Sequence, residues 1–217
     1  MATGSVRAIG EAAGITLTFR AGGHGRAVAD LAAECGWTVA GFTDRVTGAS
    51  ILGRDEDLTA LAAAGAMDAA VVGVGNAALD RRASLFQLLK ASGIVVATLV
   101  HPRAVLSRSC RLGEGVVVFA GGVLGSSVEV GDNAVVYSGV IAEHDGRIGA
   151  HAYLSPGVVL CGGVTIEAGA FLGARATVLP NLTVGKEAEV AAGAVVISDV
   201  PAGETVMGVP ARPRGGR

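Results

Sequence analysis

From Val100 to Pro201 a large aliphatic residue returns at every sixth position. Seventeen hexads run without insertion, from VHPRAV to VISDVP, and the first position is Val, Leu or Ile in sixteen of them. The fifth position is Ala, Val, Cys, Gly or Leu throughout, and the second is glycine at Gly113, Gly125, Gly131, Gly149, Gly173 and Gly185. A strand alternates every two residues and a helix every 3.6, so neither produces a beat of six. A short flat strand followed by a tight turn does, with position one as an inward wall, position five at a cramped inward corner, and the position-two glycines easing the turns. Three such sides close a triangular coil of 18 residues, and seventeen hexads make between five and six coils. Stacked about 4.8 Å apart, these form a prism roughly 25–30 Å tall. A disordered glycine-rich tract would not hold aliphatics in phase over 102 residues. The pattern predicts a parallel β-helix.

Residues 15–98 carry a different rhythm. ITLTF reads as a strand, RAGGHGRAVADLAAECG as a glycine turn running into a helix, and TVAGFTD as a second strand. AAVVGVGN then reads as an apolar strand ending in Gly75-Asn76, ALDRRASLFQLLKASG as a helix stopped by Gly93, and IVVATL as a further strand. This order argues a small parallel α/β unit. A glycine turn between a first strand and a helix start can cradle phosphate, although Gly22, Gly23 and Gly25 around His24 do not make a full dinucleotide fingerprint. Asp44, about 20 residues on, ends the second strand where an acidic group can accept from a ribose or base. The expected organisation is a loose extension over 1–14, the α/β domain over 15–98, and the β-helix with its C-terminal tail over 99–217.

Composition narrows the choices. Lys and Arg total 17 against 19 Asp and Glu, a formal charge of -2, so no nucleic-acid or membrane-surface partner is expected. Thirty-four glycines with 4% aromatics suit a repetitive backbone packed with small aliphatics. Cys35, Cys110 and Cys161 are odd in number and form no CxxC, which suits free thiols in a reducing compartment. With no leader and no long apolar run, the chain reads as cytoplasmic.

One hexad breaks the wall. In AEHDGR, Ala142 replaces the bulky residue, and Glu143, His144 and Asp145 follow. Such a hexad, pulled out of the wall, would present its third residue sideways into a cleft. An imidazole with an ordinary pKa of about 6.5 suits a general base, and a neighbouring carboxylate, Asp145 or Glu143, can orient it. A histidine between acids also arises as plain solvated surface. Adding one coil to 144 gives Gly162, whose backbone N–H is a candidate oxyanion donor. A zinc site between subunits would need three converging histidines, and the closely spaced pair is missing, so no metal is expected.

The hexads, together with VLPNLTVG and MGVPARP, resemble the left-handed β-helix of the hexapeptide-repeat acyltransferases. A Rossmann-like domain opening with AGGHG, joined to a β-helix with an EHD hexad, resembles the subfamily of sugar O- and N-acetyltransferases. That subfamily includes the sialic acid O-acetyltransferases and the N-acetyltransferases of nucleotide-linked 4-amino sugars. The resemblance implies His144 as base with Asp145 as its orienter, and nucleotide-sugar contacts at Gly22, Gly23, His24, Asp44, Arg45, Gly75 and Asn76. It implies acetyl-CoA as co-substrate, bound by Tyr153, Gly162, Ala174 and Ala192 in a groove between prisms of a homotrimer. Arg175, Lys186, Arg212 and Arg214 are candidates for its 3′-phosphate. Two departures are visible: Arg20 stands where a glycine commonly precedes AGGHG, and Tyr153 where a histidine is common. The expectation is acetyl transfer to the amino group of a nucleotide-linked amino sugar. Sugar O-acetylation remains open, as does a non-catalytic scaffold that only binds nucleotide-sugar.

Overall fold

The computed structural model describes residues 14–18, 22–44, 48 and 50–215. Arg20, Arg45 and nearly all of the expected N-terminal extension lie outside the described residues.

The N-terminal unit is a four-stranded parallel sheet with the order β3-β2-β1-β4, where β1 is Gly14–Thr18, β2 Thr38–Thr43, β3 Ile51–Gly53 and β4 Ala69–Val72. Helix α1 (Gly23–Glu34) follows β1 and buries Val28, Leu31 and Ala32. Helix α2 (Leu58–Ala63) precedes β4, and α3 (Leu79–Ala91) follows it, burying Leu85, Phe86 and Leu89. The end of α3 is a Schellman turn. Gly93 takes φ +69°, its N–H bonds Lys90 O, and the Ile94 N–H reaches back to Leu89 O. Strand β3 and helix α2 were not expected from the pattern, being too short to show a period. The expected strand IVVATL is mostly unpaired. Only Val96 bridges Ala70, and Leu99 already pairs with Val117 of the next unit.

From Leu99 to Val196 the chain is a parallel β-solenoid of two-residue strands, each made of a hexad's sixth position and the next first position, and a short antiparallel pair at Thr205–Met207 and Arg212–Pro213 closes it. Register is 18 residues through the hexads: Val117 faces Val135, then Tyr153, Phe171 and Glu189, and it shortens to 16 at Thr205. From Val118 to Val196 every first-position side chain is at most 4% exposed. Each buried Leu, Ile or Val there contributes about 1.5–3 kcal/mol.

Two local expectations need correction. The turn is made at position four, where Gly115, Gly121, Ser127, Asn133, Gly139, Asp145 and His151 all have positive φ. The position-two glycines serve a different end. A Cβ on Gly131 or Gly149 would lie 2.6 Å from the backbone nitrogen of Ala150 or Ala168 in the next coil. They permit close stacking of coils, not the turn itself. Ala142 is also not pulled from the wall. It is 1% exposed and pairs in register with Leu124 and Leu160, so the coil narrows there without breaking.

The three sheets give three faces. One, with strands at 117–118, 135–136, 153–154 and 171–172, is covered by the α/β unit, whose Val28, Leu31 and Val71 pack with Val117, Val135 and Tyr153. Its outward residues include an aromatic ladder in which Phe119 stacks on Tyr137 at 4.3 Å and Tyr153 meets Phe171 at 5.9 Å. The second face carries Val105, Val123, Ile141, Val159 and Val195 outward, with Val105 62% exposed. The third is charged, carrying Arg111, Glu129 and Arg147, and holds a shallow groove of about 720 Å³ that also touches Glu167 and Lys186.

Candidate active site

His144 stands where the chain turns from the apolar face to the charged face. Its side chain and that of Asp145 are 66% and 70% exposed. Because position four takes the left-handed conformation, φ +58° at Asp145, the two adjacent side chains swing to the same side. His144 Nδ1 lies 2.9 Å from Asp145 Oδ2. A carboxylate only accepts, so Nδ1 carries the proton and Nε2 the lone pair. So exposed a pair adds little to stability, and its effect is orientation. Every turn of the solenoid shares the backbone conformation, so φ at Asp145 is not itself a mark of function.

Gly162 lies one coil away and is locked there: the Gly163 N–H bonds His144 O, and the Asn181 N–H bonds Gly162 O. A Cβ on Gly162 would fall 2.5 Å from both Cε1 and Nε2 of His144. The imidazole therefore rests on the bare Cα of Gly162, a relation that the coil arithmetic placed but did not explain. The Gly162 N–H donates no hydrogen bond to another described residue.

The other expected residues gather elsewhere. Gly22 caps α1 in an extended conformation with no side-chain cap and no acidic residue in the first turn, so the helix start at Gly23 and His24 is open to an anion. His24 Nδ1 is 3.0 Å from the Tyr137 hydroxyl and 3.5 Å from that of Tyr153, while its Nε2 is buried without a partner. Gly75 allows this approach, since a Cβ there would be 3.2 Å from His24 Cβ. Burial pushes the Tyr153 hydroxyl well above its ordinary pKa, opposed in part by the nearby Arg82 guanidinium and Asn76 backbone N–H. Tyr153 is only 4% exposed. Asp44, 4% exposed, follows β2, and its N–H bonds Gly53 O. Ala174 and its neighbour one coil on, Ala192, are exposed at the edge between the docked and apolar faces. Arg175 adjoins them, whereas Lys186 lies in the groove of the charged face, and Arg212 and Arg214 lie in the C-terminal hairpin region.

Two groups thus emerge on opposite edges of the apolar face. His144, Asp145 and Gly162 hold one edge; His24, Gly75, Asn76, Tyr137, Ala174 and Ala192 hold the other. Sequence reasoning missed Tyr137 and the ladder. Its signal was available, since four of the eight aromatics are Phe119, Tyr137, Tyr153 and Phe171, two pairs spaced by 18.

Burial, with Arg82 adding to it, lowers the His24 pKa to about 3. The unfolded chain takes a proton on His24 near pH 6.5, the folded one only near 3, so stability falls as pH drops below 6.5. Thermal melts should show a loss of about 2 kcal/mol between pH 7 and 5 in wild type, and a shallower slope in His24→Gln.

An acid-oriented imidazole at a solenoid corner is the arrangement that the resemblance to the hexapeptide-repeat acyltransferases implies. The comparisons place the chain within that class. The family model for the PglD N-terminal domain matches residues 19–87, and that for the hexapeptide repeat of succinyl-transferase matches residues 140–174 and 163–198. No curated protein matches the chain. Among solved structures, PerB from Caulobacter crescentus, in complex with CoA and GDP-perosamine, is 36% identical, with a TM-score of 0.86 over 92% of this chain and 97% of that one. The acetyltransferase domain of PglB from Neisseria gonorrhoeae, in complex with acetyl coenzyme A, is 31% identical, with a TM-score of 0.68 over 92% and 98%. WeeI from Acinetobacter baumannii is 25% identical, with a TM-score of 0.80 over 93% and 100%. The chain belongs to the hexapeptide-repeat acetyltransferases that carry a PglD-type N-terminal domain, and it is an acetyl-CoA-dependent acetyltransferase. Among the described residues, no group of three or more His, Cys, Asp and Glu side chains could hold a metal ion, and no helix is long and apolar enough to cross a membrane.

Proposed function

We propose that the protein transfers acetyl from acetyl-CoA to the amino group of a nucleotide-linked amino sugar, in a cleft that two chains build together. The observation that carries this reading is the placement of the two groups on opposite edges of one exposed apolar face. In a three-sided column the corner bearing His144 is opposite the face covered by the α/β unit. The acceptor held at His24, Gly75 and Asn76 therefore meets the His144 of a neighbour. An apolar face of Val105, Val123, Ile141 and Val159 favours a closed homotrimer in which each such face is covered.

The α/β unit, residues 15–98, holds the nucleotide-sugar. The open start of α1 at Gly22, Gly23 and His24 takes its phosphates, Asp44 and Arg45 read the nucleoside, and Gly75 and Asn76 border the sugar. The solenoid, residues 99–217, holds acetyl-CoA along Ala174 and Ala192, with Tyr153 below. As the acceptor amine attacks the thioester carbonyl, Nε2 of His144 takes its proton, and the Asp145 carboxylate steadies the imidazolium. The Gly162 N–H meets the oxygen that becomes negative. Collapse of the tetrahedral centre breaks the C–S bond, and the proton passes from Nε2 to the departing thiolate. Three free cysteines suit a reducing compartment such as the cytoplasm.

Sugar O-acetylation by the same histidine is the second reading, and it is favoured only by the generality of the base. Thiol release from acetyl-CoA, measured against UDP-, GDP- and dTDP-linked amino sugars and against sialic acid, decides between them. Turnover with an amino sugar supports the proposal. Turnover with sialic acid alone replaces it, and silence throughout beside tight nucleotide binding makes the protein a scaffold.

A further inference from the structure

Arg82 is fully buried in the contact between the two units. Its guanidinium donates to Val72 O at 3.0 Å and Val74 O at 2.6 Å, and to the backbone oxygen and Oδ1 of Asn133, both at 3.0 Å. Its Nε has no partner, and no carboxylate among the described residues pairs with it. Burial lowers its pKa only to about 10, so it is charged at neutral pH. A buried cation without a counter-charge is costly, and a methionine would fill the space without that cost. What a methionine lacks is a fork that reaches four oxygens on two separate elements.

Of the two carbonyls on one side, Val72 ends β4 and Val74 lies just past it, immediately before Gly75 and Asn76. On the other side, Asn133 is the left-handed residue of a solenoid turn. Its carboxamide nitrogen donates to Arg82 O at 3.2 Å and lies 3.0 Å from Nδ1 of His151, one coil on. The strand end that leads into Gly75 and Asn76 is thus gripped by the solenoid through Arg82 and Asn133 at one edge of the docked face.

We propose that Arg82, acting through Asn133, is a positioning residue that sets the acceptor-holding loop at a fixed height against the solenoid. This rests on the reading of that loop as the border of the sugar site. Arg82 touches neither substrate; it governs where the amino group stands relative to the neighbouring imidazole. Burial favours the neutral forms of the titratable groups that face it, Tyr137, Tyr153, His24 and His151.

Two variants test it. Arg82→Lys keeps the charge but replaces the fork with a single ammonium. Asn133→Gly keeps the left-handed turn and the backbone acceptor while removing the carboxamide. In the full-length protein, both should lower kcat and raise KM for the nucleotide amino sugar, each about tenfold, leaving KM for acetyl-CoA and the apparent pKa of the pH–rate profile unchanged. Amide exchange over residues 73–78 should quicken in both. Folded variants with wild-type acceptor KM and wild-type exchange would overturn the proposal, as would equal rises in both KM values. Should Arg82→Lys not fold, Asn133→Gly alone decides. If wild type acetylates no nucleotide amino sugar, the functional reading fails by itself, and exchange over residues 73–78 still decides whether Arg82 fixes the loop.

Discussion

Replacing His144 with alanine is expected to lower kcat about 10²–10⁴-fold, the range supplied by a positioned general base. The side chain is 66% exposed and bonds only to Asp145, so its loss removes no core packing, and the melting temperature should hold within a degree or two. Binding of CoA should persist. Asp145→Asn should fall between wild type and His144→Ala, since an amide can still meet Nδ1 but no longer stabilises the imidazolium or enforces one tautomer. The measurement is thiol release at saturating acetyl-CoA and acceptor, set beside a thermal melt. Near-wild-type turnover in a folded His144→Ala would remove the histidine from the mechanism.

The second large effect is expected at Gly162, where the substitution adds only a methyl group. Gly162 lacks a positive φ, so alanine fits its backbone. The added carbon, however, falls 2.5 Å from two atoms of the His144 ring, well inside contact distance. The ring, being exposed, yields by swinging away, which spares the fold and spoils the catalytic geometry. A displacement of about 1 Å at a reacting group can reduce turnover about 10²-fold, and we expect Gly162→Ala to lose roughly that much in kcat. Stability should stay within about 0.5 kcal/mol of wild type. Full activity in Gly162→Ala would mean that the base does not work from the position resting on Gly162.

Much of this was legible in the chain before any coordinates. The hexads dictate the coil because only a period of 18 brings Val117, Val135 and Tyr153 into one column, and the same arithmetic puts Gly162 on His144. Carried further, it separates the two half-sites. Ala174 follows His144 by 30 residues, one coil and two corners, so both cannot serve one thioester on the same edge of one chain. What the pattern could not supply was detail that depends on contact between coils or between units. The position-two glycines look like turn formers until the next coil's backbone is seen 2.6 Å from where their Cβ would be. Ala142 looks like a break until it is found sealed between Leu124 and Leu160. Arg82 sits in a helix with almost no amphipathic pattern, so nothing in the neighbouring residues marks it as buried. Its partner Asn133 lies 51 residues away on another unit. Strand β3 and helix α2 are too short to declare a period.

The central claim is that the imidazole of one chain serves the acceptor bound to the next. Mixing tests it directly. One parent is His144→Ala; the other keeps His144 but carries Gly75→Val, whose branched side chain would be driven into His24 and close the acceptor pocket. Each parent alone should be nearly inactive. Unfolded and refolded together, or co-expressed, they should form mixed assemblies in which some clefts pair an intact His144 with an intact acceptor site, and turnover should return to a substantial fraction of wild type. Mixed assemblies that form, as judged by tag-based separation, and yet remain as inactive as their parents would contradict the account.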